Sequence, residues 1–264
     1  MSESSPPEDE LAGTEQPFVQ HLMELRDRLV KALIAVAVMA ALLFFFPGPG
    51  ALYDYMAAPL VAHLPKGATL IATSVISPFM VPLKILLMSA FLMALPLVLW
   101  QVWAFVAPGL YSHEKKLVLP LVVSSTLLFF TGVAFCYFFV FGQVFAFIQG
   151  FAPKSITAAP DIEAYLSFVL SMFLAFGLAF EVPIAVVVLA RMGVVSIEKL
   201  KNFRGYFIVI AFVIAAVVTP PDVVSQLALA VPMCLLYEVG IWAAQIFIRH
   251  TQAPVDPAEE TRPS

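Results

Sequence analysis

The 264-residue chain is 61% hydrophobic and only 12% charged, with a formal net charge of -4. A soluble domain carries about 25% charged residues, so this composition cannot cover a water-facing surface and makes lipid the natural solvent for most of the chain. The small acidic excess gives no footing for nucleic-acid binding.

Met1 to Gln16 is rich in Pro, Glu and Ser and reads as a solvated, poorly ordered acidic tail. It lacks the basic start of a cleavable signal peptide, so the first apolar run is expected to be retained. An apolar span needs about 20 residues to cross about 30 Å of hydrocarbon. Counted against that length, the candidates are Leu29 to Phe46, Pro78 to Ala107, Leu117 to Phe147, Ala164 to Arg191, Tyr206 to Val218 and Val223 to Ile248. Residues 17–250 thus form one transmembrane domain, and 251–264 a second solvated tail.

Between the first two spans, Leu52, Tyr53, Met56 and Leu60 recur at near-helical spacing within Pro47 to Val75. That pattern predicts an amphipathic helix on the outer surface, capping the bundle. The second and third spans run to about 45 Å and must tilt, kink or project, with Pro96 a kink site. Ser196 opens the polar stretch SIEKLKNFR as a helix N-cap. The fifth span is only 13 residues, about 20 Å of helix, and Pro220 and Pro221 prevent its extension. Lys and Arg cluster on the loops that face one side when the N-terminus is inside, which places both termini in the cytoplasm. The predicted fold is an all-α membrane protein of six transmembrane helices, a cup-like bundle with short helices five and six.

Within the spans, Glu181 lies ten residues before Arg191, about 15 Å deep. A charge there is costly. Either it is neutral and hydrogen-bonded to neighbouring helices, or it is a functional acid facing a cavity. Glu238, eleven residues before Arg249, sits at a similar depth and reads as structural. At the cytoplasmic surface, Glu24 opens the first helix and is placed for an ordinary ion pair with Arg28. Glu114 lies beside Lys115 and Lys116 in the loop YSHEKK, where a solvated charge needs no special role. Near the outer hairpin, Gln226 either bonds a partner helix or faces solvent while Asp222 caps its own helix.

Enzyme signatures are missing: the chain has no H-E-x-x-H, no G-x-S-x-G and no glycine-rich phosphate loop. His21, His63, His113 and His250 all fall in stretches read as tails or loops, which argues against haem. Cys136 and Cys234 lie in apolar runs, where thiols act as small hydrophobes. The chain is therefore expected to be no enzyme, with no disulfide, metal or cofactor.

Several runs together resemble the TatC family, the large polytopic subunit of the twin-arginine translocase. They are HLMELRDRL at His21, SPF at Ser77, QVWAFVAPGLYSHEKK at Gln101, YLSFVLSMFLAFGLAFEVP at Tyr165 and TPPDVVSQLALAVPM at Thr219. The resemblance covers Gln16 to about Ile248, and departs at Lys115 and Lys116, where the family often has arginines. It implies a receptor in the bacterial inner membrane that binds twin-arginine signal peptides of folded precursors. It also implies recruitment of single-span partner subunits of the TatA and TatB types, self-association within a larger complex, and transport driven by the proton-motive force. By the same resemblance, Glu24 and Glu114 bind the arginine pair, with Arg26 and Phe105 shaping the patch. Glu181 then belongs to a membrane cavity, Thr219 and Gln226 to a docking surface for partner helices, and Pro59 to an external position that supports assembly.

Two other classes remain open on the residues alone. A proton-coupled small-molecule transporter would also use a membrane acid, but would show broken helix pairs in matched halves. An intramembrane enzyme would need a nucleophile and base.

Overall fold

A computed structural model describes residues 12–61, 71–106, 118–151, 161–219 and 222–249. The described residues form ten α-helices and one π-helical turn: α1 (Ala12–Phe45), α2 (Pro49–Val61), α3 (Ser77–Val106), α4 (Val118–Phe135), α5 (Phe141–Phe151), α6 (Ile162–Ala179), α7 (Val182–Arg191), α8 (Ile197–Asn202), α9 (Arg204–Val218) and α10 (Val223–Arg249). The π-helical turn, Cys136–Val140, joins α4 to α5 without ending the helix. The two tails lie outside the described residues, except that α1 reaches back to Ala12, into the stretch read as solvated.

Among the described residues, five stretches are long and apolar enough to cross a membrane: Val19–Phe45, Ser77–Val106, Val118–Val144, Ile162–Arg191 and Val223–Phe247. The chain is an all-α, multi-pass membrane protein. The fifth expected span is the shorter apolar helix α9, of 15 residues, about 22 Å long. The last helix is not short, as the cup-like picture had it, but runs for 27 residues.

Local chemistry explains the boundaries. Asp161 caps α6 by accepting from the Glu163 and Ala164 N–H groups at 3.0 and 2.9 Å. The Ser196 hydroxyl accepts from the Lys199 N–H and starts α8. The carboxylate of Asp222 takes the Ser225 N–H at 2.7 Å and starts α10. Thr219, held extended before Pro220, ends α9. The break between α6 and α7 follows from Pro183, which has no N–H to give the Ala179 carbonyl. There the Glu181 N–H turns to the Leu178 carbonyl at 3.1 Å, and α7 starts afresh.

α1 packs along α3, α4 along α6, and α10 along α7 and α9. The α4–α6 contact is tight: a β-carbon on Gly177 would lie 2.4 Å from the Phe129 ring, so only hydrogen fits there. On the other side Val186, Ala190, Tyr237, Ile241 and Ala244 form a buried seam that fixes α7 and α10 as parallel neighbours. Of the four apolar residues whose spacing predicted α2, Leu52 and Tyr53 pack against the core, and the side chains of Met56 and Leu60 lie outside the described residues.

The spans differ in height. Arg204, the first residue of α9, holds Glu238 in a two-pronged ion pair, Nε to Oε1 at 2.6 Å and Nη2 to Oε2 at 2.7 Å. Glu238 stands two residues before Gly240, which touches Pro183. The start of α9 is therefore level with the α6–α7 break, and α7 and α10 continue past it by two to three turns.

Candidate functional site

At the end of the bundle where Arg and Lys cluster, called here the basic end, the start of α1 meets the end of α3. His21 stacks on Phe105 with ring centroids 4.4 Å apart. This corrects the placing of His21 in a tail: it is a helical residue at an interhelical contact. Glu24 follows one turn later on the same face of α1. Its Oε1 accepts from both Arg28 Nε at 2.9 Å and Arg28 Nη2 at 2.6 Å, while Oε2 accepts nothing from the described residues. The expected Glu24–Arg28 pair is therefore present. Arg26 is exposed and pairs with its neighbour Asp27 at 2.8 Å. Glu114 lies outside the described residues, in the segment joining α3 to α4.

Glu181 sits at the α6–α7 break. Both carboxyl oxygens are buried, and no hydrogen bond of standard geometry reaches them from the described residues. Its closest polar surroundings include Ser125 of α4, whose hydroxyl accepts the buried Trp103 indole N–H at 2.9 Å. A polar pocket of α3, α4 and the break thus lies inside an otherwise apolar core.

At the opposite end, Thr219 is buried, and its hydroxyl returns to the Ala215 carbonyl at 2.8 Å. Gln226 spans the hairpin, its Nε2 donating to the Phe212 carbonyl of α9 at 3.3 Å. Both residues thus meet at the α9–α10 turn, though their polar atoms bond within the chain. Pro59 falls in α2, and its side chain lies outside the described residues.

A second polar assembly at this end was not read from the sequence. Ile71 and Asp161 form an isolated β-bridge, with the Ile162 N–H donating to the Ile71 carbonyl at 2.9 Å. Asp161 Oδ2 accepts from the Thr73 N–H at 3.0 Å and from the Thr73 hydroxyl. In the first turn of α6, Glu163 accepts from the Ser77 hydroxyl at 2.6 Å and from Lys84 at 2.7 Å. The Thr73 hydroxyl, then the N–H groups of Ala164 and Thr73, hold the Asp161 carboxyl down at about 2. The signals were an Asp just before an apolar run and a lone Lys inside one, but neither names its partner.

The chain was compared with known proteins on this geometry. The family described as Sec-independent protein translocase protein (TatC) matches residues 20–232. A protein of that name from Halothiobacillus neapolitanus is 51% identical over 88% of this chain, the match covering 63% of that protein. Its counterparts from Haemophilus influenzae and Escherichia coli are each 47% identical over 88% of this chain and 90% of their own. A solved structure described as the twin-arginine translocase receptor TatC superposes with a TM-score of 0.75 at 41% identity, covering 87% of this chain and all of that one.

Proposed function

Since the chain belongs to the TatC family and is the core subunit of a Sec-independent protein translocase, we propose that it is the subunit that captures twin-arginine signal peptides. The observation that carries this reading is the Glu24 carboxylate at the α1–α3 contact. It already engages one guanidinium through a single oxygen and lies one turn from the His21–Phe105 stack. A planar guanidinium bonds a carboxylate through two parallel hydrogen bonds, which a lysine ammonium cannot match, so such a site selects arginine. Glu114 supplies the second carboxylate, and Arg26 and Phe105 border the patch. The lipophilic part of the tag extends toward the Glu181 pocket.

The same reading places the chain in the bacterial inner membrane as six spans, α9 included, with both termini and the basic end in the cytoplasm. Single-span partners of the TatA and TatB types dock at the α9–α10 hairpin around Thr219 and Gln226, Pro59 supports assembly at the outer face, and copies of the chain associate within a larger complex. Transport of folded precursors draws on the proton-motive force. A small-molecule transporter has no support in the relatives, and the break at Glu181 has no matched counterpart among the described residues.

The test is photocrosslinking from position 24 or 114 to a signal peptide, together with the Glu24→Ala, Glu114→Ala double variant. A crosslink that needs the arginine pair, and weakened peptide binding in the variant, support the reading. Equal binding of a tag that keeps its lipophilic stretch but lacks both arginines overturns it.

A further inference from the structure

Glu181 stands at the N-cap position of α7, where a carboxylate ordinarily accepts an N–H of the first turn. It makes no such bond. Pro183 has no N–H to offer, and both Glu181 oxygens are buried. Something other than its own helix therefore sets the direction of this side chain.

The register of α4 against α6 shows what lies opposite. Phe129 of α4 is seated on Gly177 of α6. One helical turn from that contact toward the basic end, α4 presents Ser125 and the α6–α7 break presents Glu181. A further turn along, Val122 packs in one cluster with Ile184 and Val188. Ser125 is fully buried, and it is the polar side chain that bears on the Glu181 carboxyl.

The hydroxyls on either side of Ser125 are returned to their own helix. Ser124 gives its hydrogen to the Pro120 and Leu121 carbonyls, and Thr126 to the Val122 carbonyl at 2.7 Å. Ser125 differs. Its oxygen accepts the Trp103 indole N–H of α3 at 2.9 Å. Among the described residues its hydrogen goes to no α4 carbonyl, and the Leu121 carbonyl, one turn back, is already taken by Ser124. An indole N–H only donates, so it occupies an acceptor site of the hydroxyl and leaves the hydrogen for another group. The Glu181 carboxyl is the acceptor that the register places there.

We propose that Trp103 and Ser125 are positioning residues for Glu181: the indole fixes the Ser125 hydroxyl, and that hydroxyl holds the carboxyl toward α4 rather than toward the start of α7. The chain of donors runs from α3 through α4 to the break, and in a low-dielectric core each bond in such a chain strengthens the next. Phe105, in the same last turns of α3 as Trp103, is the ring that stacks on His21. The end of α3 thus touches both the α1 patch and this chain. Its bearing on transport rests on the proposed role of the Glu181 pocket; the hydrogen-bond chain itself does not, and its test uses no signal peptide.

The experiment records infrared spectra of the full chain in lipid nanodiscs and takes as the Glu181 carboxyl band the one lost in Glu181→Gln. Ser125→Ala and Trp103→Phe should each shift that band, and Ser125→Thr should leave it near its native position. The double variant should shift it no further than Ser125→Ala alone, because the indole acts through the hydroxyl. Ser124→Ala and Val122→Ala, which remove a neighbouring hydroxyl and a packing contact of the same cluster, should leave the band in place. A band unmoved by Ser125→Ala and Trp103→Phe would overturn the proposal. So would an equal shift in Val122→Ala, which would make the effect one of packing, or additive shifts in the double variant, which would detach Trp103 from Ser125. Should Trp103→Phe not fold, the contrast between Ser125→Ala and Ser125→Thr still decides whether the hydroxyl holds Glu181.

Discussion

Gly240 lies directly on Pro183: a β-carbon on the glycine would sit 2.9 Å from the proline Cα and 3.0 Å from Val186 Cβ. This contact sets the register of α10 against α7. It brings Glu238 to the level of the α6–α7 break, where Arg204 meets it, and so fixes how deep α9 starts.

Gly240→Ala should lower stability by about 1 to 3 kcal/mol, because the atom it meets is backbone and cannot rotate away. Thermal unfolding in detergent should show a lower midpoint. Gly142→Ala, whose β-carbon meets nothing within 4 Å, should leave the midpoint unchanged or raise it slightly, since alanine is the better helix former. Equal midpoints for both variants would mean the α7–α10 register is loose.

The Arg204–Glu238 pair is nearly half exposed on both sides, so its coupling is expected to be modest, about 0.5 to 1 kcal/mol in a double-mutant cycle. Arg204→Glu should destabilise, and adding Glu238→Arg should recover part of the loss. Arg204→Lys should keep less than half of the coupling, since an ammonium cannot form the two-pronged contact. A cycle that closes to zero would show that the pair does not hold the start of α9.

The Asp161 carboxyl is held at about 2 by Thr73 and the α6 N–H groups, below the ordinary value of 3.8. A depressed folded value means the carboxylate stabilises the fold fully above the ordinary value, and that contribution is lost as pH falls from about 4 toward 2. Hydrogen exchange at the Thr73, Glu163 and Ala164 amides should therefore be pH-independent in protection down to about 4 and accelerate below it. Asp161→Asn should remove the transition. Loss of protection at pH 5 to 6 would refute the assignment to Asp161.

For the arginine-recognition site, Glu24→Ala should weaken twin-arginine peptide binding by about tenfold, a value typical of one charge-assisted hydrogen-bonding partner. Arg28→Gln should have the opposite sign, tightening binding about twofold, because a half-buried i,i+4 pair worth about 0.3 to 0.5 kcal/mol no longer competes for Glu24. Calorimetric titration at two salt concentrations checks both, since exposed pairs are screened over about 8 Å at physiological ionic strength. Weaker binding in Arg28→Gln would make Arg28 a positioning residue for Glu24 rather than its competitor.

What could be read before the structure was whatever one stretch of chain decides alone. The apolar runs gave the other long helices to within a few residues but missed the start of α1, which begins at Ala12 rather than Leu29; Pro220 and Pro221 gave the end of α9, and Ser196 gave the start of α8. The Glu24–Arg28 pair followed from helical spacing. Contacts between distant stretches were not legible. Nothing near Arg204 names Glu238, 34 residues on, and nothing near Thr73 names Asp161, 88 residues on. His21 was misplaced because its turn is polar enough to resemble a tail, yet it is ordered by Phe105 from another helix. Glu181 was marked by depth and by Pro183, but the break in the helix beneath it comes from the missing N–H, whose effect depends on how the next turn closes.

The Ile71–Asp161 bridge also carries a consequence for biosynthesis. Its two strands of contact belong to segments delivered to the membrane three helices apart, so α3 emerges with Lys84 and Ser77 lacking the acid that later receives them. Until α6 arrives, a cation near one surface must be tolerated by headgroups or by the insertion machinery. Closing that gap ties the stretch leading into α3 to the start of α6, through Thr73 on Asp161 and through Ser77 and Lys84 on Glu163.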